Sequence, residues 1–250
     1  MSIAVIFGAN GGIGQEFVKQ ALKRHAVVFA CSRPHSSEAA SKIPTIKALE
    51  NGLVKVELNP LDDHHLKKFS EHVNNQYGHV DLIVNAIGIL HHSEEIQPEK
   101  RIEDFDLTSF INVMQTNAAT SALIAKHFIK LLKQSNTQTA IFASISARVG
   151  SISDNRLGGW YSYRASKAAL NQVIKTLSIE VARRNKNTAV IALHPGTTDT
   201  NLSKPFQQNV KPGKLFSTEY SVRKMFQIID NLFLEDNGKF FAWDGSTIEW

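Results

Sequence analysis

The chain of 250 residues carries 28 lysines and arginines against 23 aspartates and glutamates, a net charge of +5 with histidine neutral. Its 42% apolar and 20% charged residues indicate a folded globular protein and exclude a disordered or fibrous one. The single cysteine, Cys31, excludes an internal disulfide and a cysteine-cluster zinc site. No apolar run approaches the ~20 residues that span a bilayer, and no block of like charges is present. We therefore expect a cytoplasmic protein that binds neither membranes nor nucleic acid.

Seven short apolar segments recur along the chain, and helical patterns separate them. The segments are residues 3–7, 27–31, 53–58, 80–84, 139–143, 189–193 and 239–243. Continuous apolar runs of this length are typical of parallel strands that are buried on both faces. Apolar residues at helical spacing occur at 66–73, 111–132, 170–181 and 222–233. The alternation predicts an α/β fold, a doubly wound parallel sheet of about seven strands with helices on both faces.

One polar segment, residues 200–217, interrupts this alternation and contains Pro205, Pro212 and Gly213. A long irregular segment inside a compact domain is commonly a lid or a binding loop. No linker composition precedes it. We therefore predict one domain over residues 1–250, with residues 200–217 as its substrate lid.

A glycine-rich turn follows the first predicted strand directly and precedes a helical pattern. It reads Gly8-Ala9-Asn10-Gly11-Gly12-Ile13-Gly14, a G-x-x-x-G-x-G spacing. Glycines let a backbone turn tightly and approach phosphates, and a helix N-terminus supplies N–H donors and partial positive charge. Glycines alone are common in turns, but in this strand–turn–helix context they predict binding of a dinucleotide pyrophosphate.

A second candidate site begins a helical pattern at Tyr163-Arg164-Ala165-Ser166-Lys167. Residues at i and i+4 share a helix face, so Tyr163 and Lys167 can point at one place. A neighbouring ammonium favours the phenolate, so we expect Lys167 to lower the tyrosine pKa and make it an acid–base group near neutrality. Tyr161 has no such partner, because its i+4 residue is Ala165.

Together these motifs resemble the short-chain dehydrogenases/reductases, over roughly residues 3–245. The family's T-G-x-x-x-G-x-G pattern appears with Phe7 in place of the threonine, so the turn must be braced in another way. Its N-N-A-G motif appears as Asn85-Ala86-Ile87-Gly88, and P-G-x-x-x-T is intact in Pro195-Gly196-Thr197-Thr198-Asp199-Thr200. The resemblance implies a Rossmann fold and hydride transfer with a nicotinamide cofactor.

The resemblance also implies roles for individual residues. Asn117 would hold a water in a proton relay to Lys167, Lys167 would also bind the nicotinamide ribose, and Thr200 would contact the carboxamide end of the cofactor. Further residues at family positions would line the cofactor site. The full set is Gly8, Asn10, Gly11, Gly12, Ile13, Gly14, Ser32, Arg33, Asn59, Asn85, Ala86, Gly88, Tyr163, Lys167, Pro195, Gly196, Thr198 and Thr200.

The catalytic serine has two candidates. The family commonly places it 13 residues before the tyrosine, whereas Ser146 and Ser144 lie 17 and 19 residues before Tyr163. An insertion within residues 150–159 accounts for the difference. We favour Ser146 because its S-x-x-x-G run to Gly150 matches the family's turn, and Ser144 stays the alternative.

The end of the second strand bears on cofactor choice. Ser32 stands where relatives that use NAD often carry an aspartate, and Arg33 follows it. A carboxylate there would repel a 2′-phosphate, whereas a guanidinium can hold one through two parallel hydrogen bonds. We therefore expect NADP(H) to be favoured over NAD(H), the alternative being that Arg33 is a solvated loop residue.

The predicted activity is that of an NADP-dependent short-chain oxidoreductase acting on a small carbonyl or alcohol, in the carbonyl-reductase and C-factor-like group. The alternative is a dinucleotide-binding regulator without turnover. A nucleotide-sugar epimerase would need a larger C-terminal region, and G-x-S-x-G, H-E-x-x-H and P-loop motifs are absent.

Two expectations concern the surface. We predict no metal site, because the pairs His64-His65 and His91-His92 lack a third ligand and are expected to be surface residues. We also expect a homodimer or homotetramer formed through residues 107–132 and 161–184, since Leu123, Ile124 and Phe128 extend beyond a single core stripe.

Overall fold

The computed structural model describes residues 1–34, 44–92, 95–133 and 139–250. Its strands are β1 (Ile3–Phe7), β2 (Val27–Ser32), β3 (Thr45–Ala48), β4 (Leu53–Glu57), β5 (Leu82–Asn85), β6 (Ala140–Ile145), β7 (Thr188–His194), β8 (Thr197–Thr198), β9 (Leu215–Phe216) and β10 (Phe240–Ala242). Eight of them form one sheet in the order β10-β7-β6-β5-β1-β2-β4-β3, and β8 pairs with β9 separately. All pairs in the large sheet are parallel except β3 with β4. The strand order reverses direction between β1 and β5, which is where ligands bind in open α/β sheets.

The helices cover both faces of this sheet. They are α1 (Gly12–Ala21), α2 (Asp63–Tyr77), α3 (Leu107–Met114), α4 (Thr120–Phe128), α5 (Tyr161–Arg184) and α6 (Thr218–Asp230), with a π-helical turn, Gln115–Ala119, between α3 and α4. Apolar residues of α2, α4 and α5 pack on one face, and those of α1 and α6 pack on the other. The residues of β1 alternate between these two cores, which explains why its sequence is apolar at every position. The doubly wound parallel sheet is confirmed.

Phe7, which replaces the family's usual threonine, is fully buried between aromatic rings. Its ring meets those of Phe69 and Phe128 edge-on at 6.3 and 5.7 Å. The turn that follows is braced by the backbone instead of a threonine hydroxyl. The N–H groups of Gly8 and Ala9 both donate to the carbonyl of Cys31, at 3.0 and 2.9 Å.

Two elements depart from the predicted pattern. Strand β3 was not predicted because its side chains are mostly exposed and carry no apolar run. It lies at the edge of the sheet, where one strand face and one backbone edge meet solvent. The predicted lid is also partly regular. Strand β9 lies near the end of the 200–217 segment and pairs with β8, which lies just before the segment begins. Residues Lys204–Asn209 form a 3₁₀ helix.

Two expectations about the surface are wrong. His65 is buried, and its Nδ1 accepts a hydrogen bond from the backbone of Asn59 at 3.2 Å, because α2 turns this residue toward the sheet. Ile124 and Phe128 are fully buried in the chain's own core and are not available to a partner. The large apolar residues that α3 and α5 expose include Leu107, Ile111 and Ile179. Within the described residues, no helix is long and apolar enough to cross a membrane.

Candidate functional site

The turn between β1 and α1 has a backbone path that only glycine permits. Gly8 has φ +82°, and a β-carbon there would lie 2.9 Å from the backbone carbon of Ala86, in the loop after β5. A β-carbon on Gly14 would lie 2.0 Å from the carbonyl oxygen of Gly8. The turn therefore folds back onto its own helix and against the neighbouring strand end.

The first turn of α1 presents its N–H groups to this turn. Helix α1 begins at Gly12 after Gly11, and no side chain among the described residues caps it. The open N-terminus offers backbone donors and a partial positive charge. Thr200 lies above it, because a β-carbon on Gly12 would be 3.0 Å from the Thr200 methyl group. These features fit a bound pyrophosphate, as the glycine pattern predicted.

A cleft of about 740 Å³ runs along the carboxyl ends of the strands beside this turn. The predicted residues Gly8, Asn10, Gly11, Ser32, Arg33, Asn59, Ala86 and Gly88 are in its lining, together with Cys31, Ile87, Ile89 and Thr116. The volume lies within the range of small-molecule and cofactor sites. The structure thus brings eight of the eighteen predicted cofactor residues into the lining of one cleft.

Ser32 and Arg33 lie at the end of the cleft formed by β2. Ser32 is the last residue of β2 and is half-buried, whereas the Arg33 side chain is exposed. Asn59 follows β4, and its Oδ1 accepts a local hydrogen bond from the backbone of Leu61 at 3.0 Å. The exposed guanidinium is therefore free of the sheet and can reach a ligand in the cleft.

Asn85 braces the cleft from below and does not point into it. It is almost fully buried at the end of β5, and its amide donates to the hydroxyl of Ser121 on α4 at 2.7 Å. The side-chain oxygen of Asn85, Oδ1, accepts a hydrogen bond from the backbone N–H of Ile87 at 3.1 Å. Asn85 thus sets the path of the loop that carries Ala86 and Gly88, an indirect role that the sequence motif does not reveal.

The segment after β7 forms the other wall. Gly196 has φ +73°, and a β-carbon there would lie 2.6 Å from the ring of Phe216. Thr198 is buried and bonded to Ser221 on α6 at 3.2 Å, so its hydroxyl supports the wall. The Ser221 hydroxyl donates to the carbonyl of Pro195 at 2.6 Å.

Tyr163 and Lys167 lie on the buried face of α5, as their spacing predicted. Their side chains are almost fully buried, and the Lys167 ammonium lies 5.8 Å from the centre of the Tyr163 ring. The ammonium donates to the carbonyl of Ile145, the last residue of β6, at 3.0 Å. It faces the cleft floor, since a β-carbon on Gly88 would be 3.3 Å from it.

The pKa values of this pair differ in part from the expectation. Burial raises the pKa of the Tyr163 phenol, whereas we expected the ammonium to lower it. Burial also lowers the pKa of Lys167, to about 8. The physical reason is that desolvation penalises the charged form of each group, phenolate and ammonium alike. Tyr163 is therefore a neutral phenol at pH 7, the form that can give a proton away.

Asn117 is fully buried in the π-helical turn and faces Lys167 across Gly88. Its Oδ1 accepts from the backbone of Ile89 at 2.7 Å, and its Nδ2 donates to the carbonyl of the same residue at 2.8 Å. Nδ2 also donates to the hydroxyl of Ser166 on α5 at 2.9 Å. Asn117 therefore ties α5 to the cleft floor, whereas the family resemblance implied for it only a role in holding a water.

The two candidate serines both bond away from Tyr163. The Ser144 hydroxyl lies within β6 and is bonded to Ser121 at 3.0 Å. The Ser146 hydroxyl, directly after β6, donates to the Oδ1 of Asn171 on α5 at 2.6 Å. The Nδ2 of that Asn171 is buried and has no hydrogen-bond partner among the described residues. Neither contact decides between the serines, but Ser146 lies nearer the turn that packs on Lys167.

Glu99 is a site residue that sequence reasoning missed. It is 4% exposed, and its carboxylate accepts from both the backbone N–H and the hydroxyl of Ser162, in the first turn of α5. A carboxylate is stabilised at this end of a helix by the dipole and by the free N–H groups. No local sequence signal could have paired Glu99 with a residue 63 positions away.

Comparisons with known proteins agree with this geometry. The sequence pattern of the family described as short chain dehydrogenase matches residues 2–211. An uncharacterised oxidoreductase of Schizosaccharomyces pombe is 29% identical over 97% of this chain and 96% of its own length. The C-signal protein of Myxococcus xanthus is 28% identical over 69% of this chain and 94% of its own length.

A solved structure resembles the whole chain. The NADPH-bound carbonyl reductase from chicken fatty liver superposes with a TM-score of 0.82 and 27% sequence identity, covering 100% of this chain and 94% of that one. The likeness confirms the fold class and the expected type of catalytic domain.

We predict that Gly14→Ala destabilises the protein. Alanine is the better helix former by up to ~1 kcal/mol, but its β-carbon would collide with the Gly8 carbonyl at 2.0 Å, and backbone atoms cannot move aside cheaply. Overpacking of this kind costs about 1–3 kcal/mol or more. Thermal unfolding should show a lower Tm. Gly11→Ala is the control, since its β-carbon would lie 3.4 Å from the same oxygen. Equal Tm values for the two variants would contradict the close packing of this turn.

Proposed function

Because the chain belongs to the short-chain dehydrogenase family of nicotinamide-dependent oxidoreductases, we propose that it transfers a hydride between NADP(H) and a small carbonyl or alcohol substrate. The observation that carries the proposal is the buried Tyr163–Lys167 pair beside the glycine-rich cleft. Carbonyl reduction needs a proton donor next to a dinucleotide-binding cleft. We further propose a single cytoplasmic domain in which residues 200–217 cover the substrate.

Two features of the glycine-rich turn fit a bound dinucleotide. The glycines let the turn pack tightly against its own backbone and against Ala86, and the uncapped N-terminus of α1 leaves backbone N–H donors at the same turn. Gly8, Gly12 and Gly14 would hold the pyrophosphate, and Ser32 with Arg33 would meet the adenosine ribose. When bound, the reduced nicotinamide supplies the hydride that adds to the carbonyl carbon. Lys167 and Thr200 are the proposed contacts at that end.

Tyr163 acts as the acid in the reduction direction. Its phenol gives its proton to the substrate oxygen while the carbonyl carbon gains the hydride, so the carbonyl becomes an alcohol. The raised pKa of Tyr163 keeps the proton on the phenol until the oxygen gains negative charge. In the oxidation direction the phenolate would have to form first, and burial disfavours that charged form.

Lys167 and Asn117 restore the proton to Tyr163. Burial lowers the pKa of Lys167 to about 8, so the ammonium is mostly protonated at neutral pH yet gives up a proton readily. Asn117 lies across Gly88 from this ammonium and would position the water that connects it to solvent. The supply of protons should fall as the pH rises through the pKa of Lys167.

Ser146 is the proposed second donor to the substrate oxygen. To reach it, the hydroxyl must exchange its hydrogen bond with Asn171 for one with the substrate. Ser144, which is bonded to Ser121 within the sheet, stays the alternative, because its S-x-x-x-G spacing matches the family's turn less well than that of Ser146. A regulator without turnover is the second candidate function, and the likeness to the C-signal protein is what favours it.

Assembly through α3 and α5 remains part of the proposal. Leu107 and Ile111 on α3 and Ile179 on α5 are exposed to 63%, 44% and 48%, and they replace the buried residues on which the expectation first depended. We predict particles of twice or four times the 27.8 kDa chain mass in light scattering at micromolar concentration. A monomer would contradict this.

We predict that Tyr163→Phe abolishes reduction and spares cofactor binding. Only the phenol hydroxyl is lost, and general acid–base catalysis contributes at least ~100-fold to turnover. NADPH binding and turnover with a panel of small carbonyls are the measurements. Tyr161→Phe is the matched control, because Tyr161 is 40% exposed and lies outside the Tyr–Lys pair. Near-normal turnover in Tyr163→Phe would refute the assigned chemistry.

We predict that Ser32→Asp/Arg33→Ala shifts the preference from NADPH toward NADH. The change removes a guanidinium that can hold the 2′-phosphate and adds a carboxylate that repels it. Charge-assisted bonds of roughly 1.5–3 kcal/mol correspond to a loss of several-fold to ~100-fold in the NADPH/NADH ratio of kcat/KM. Arg183→Ala, an exposed arginine at the far end of α5, serves as the control. A wild-type preference for NADH, or an unchanged ratio in the double variant, would show that these residues do not select the cofactor.

A further inference from the structure

The residue before the catalytic helix has an unusual backbone conformation. Trp160, the N-cap of α5, has φ +53° and ψ +46°, in the left-handed region that side chains other than glycine and asparagine rarely adopt. Gly158 and Gly159 before it both have φ +64°. Three successive left-handed residues therefore lead into the helix that carries Tyr163, and the third is a tryptophan.

Neighbouring segments hold this conformation from two sides. The N–H of Trp160 donates to the backbone carbonyl of Glu99, whose carboxylate accepts from Ser162, two residues further on. The Arg164 guanidinium donates to the carbonyl of Gly159 at 2.9 Å. Strained backbone persists only where surrounding contacts determine it, and such positions cluster at active sites and ligand clamps.

The conformation places the indole beside the catalytic tyrosine. The ring of Trp160 meets that of Tyr163 edge-on, with centroids 6.2 Å apart, and that of Phe206 at 5.1 Å. Phe206 belongs to the 200–217 segment, and its other side contacts His91 at 5.8 Å. His91 also bonds the backbone carbonyl of Asn201 at 3.1 Å, so it holds the same segment in place.

Packing within the protein does not account for this group of rings. Trp160, Phe206 and His91 are each only half-buried, and none of them belongs to either hydrophobic core of the sheet. A half-exposed indole therefore gains little from core packing to offset the strain of its backbone. What it does gain is a fixed position next to the Tyr163 ring, on the side where the 200–217 segment covers the site.

We propose that Trp160 and Phe206, supported by His91, form a substrate-binding aromatic wall beside Tyr163 that selects carbonyl compounds with a planar aromatic ring on the carbonyl carbon. The inference rests on the proposed function, because it needs Tyr163 to receive the carbonyl oxygen. A planar ring can stack or meet the indole edge-on, whereas a saturated ring of the same size cannot use the π-face in this way. The wall thus discriminates by flatness as well as by polarity.

The test compares acetophenone with cyclohexyl methyl ketone, which differ only in whether the ring is aromatic. The measurement is the ratio of kcat/KM for the two ketones with NADPH, in wild-type and variant enzymes. Conjugation changes the intrinsic reactivity of acetophenone equally in every enzyme, so comparison of the ratios isolates the contribution of the pocket. We expect Trp160→Asn and Phe206→Leu each to lower the aryl/cyclohexyl ratio by roughly 3–10-fold, the range of aromatic pair interactions.

Two further variants separate the ring from the backbone. Asparagine tolerates the left-handed conformation, so Trp160→Asn removes the ring without adding strain. Trp160→Phe keeps an aromatic ring and should hold the ratio within about twofold of the wild-type value, on the same aromatic-pair scale. Ile152→Asn, a 77% exposed position in the loop before the helix, is the control for general effects on that loop.

The outcomes are distinguishable from failure of the proposed function. Equal loss with both ketones in Trp160→Asn would overturn the wall and assign the tryptophan a purely structural role. If wild-type enzyme reduces butane-2,3-dione but neither ring compound, the substrate class is wrong and the hydride-transfer activity stands. If it reduces no carbonyl at all, the activity itself fails, and the wall fails with it.

Discussion

A buried ammonium group dictates much of the geometry around this site. Lys167 is 3% exposed, and an ammonium in such a place is costly unless it is bonded. The backbone carbonyl of Ile145, at the end of β6, accepts a hydrogen bond from this ammonium. The bond fixes the position of α5 relative to the sheet. Gly150 leaves room for this approach, because a β-carbon there would lie 2.7 Å from the Lys167 side chain. On the other side, a β-carbon on Gly88 at the cleft floor would lie 3.3 Å from the ammonium.

The same burial decides the protonation chemistry. Burial disfavours both the phenolate of Tyr163 and the ammonium of Lys167, so the pKa of the phenol rises, the pKa of the ammonium falls, and the two values move apart. The result is a neutral phenol next to an amine that releases its proton near pH 8. Desolvation, more than charge attraction between the two residues, therefore sets the protonation state of the pair.

Buried polar chains connect the site to the sheet. Asn85, Ser121 and Ser144 are linked through α4 and the ends of β5 and β6, and Ser146 is linked to Asn171 on α5. These bonds satisfy groups that would otherwise be costly in the core and fix the relative positions of four elements, β5, β6, α4 and α5. They also explain why spacing could not identify the catalytic serine, since two hydroxyls lie near the same strand end and each has a partner inside the protein.

Features set by neighbours along the chain were predictable from the sequence. The strands of the sheet interior, the glycine turn and the Tyr163–Lys167 pair follow from residue periodicity and from contacts within one turn, and periodicity also predicted burial on both faces of the sheet. Features that need distant residues to meet could not be predicted from the sequence, because they depend on three-dimensional packing. They are the pairing of Glu99 with Ser162, the burial of His65 and Phe128, and the direction of the Tyr163 pKa shift. The left-handed conformation of Trp160 belongs with these, because the contacts that hold it come from Glu99, 61 positions away. Residue spacing along the chain determines local geometry. Desolvation and backbone strain arise only when distant segments of the folded chain pack around a residue.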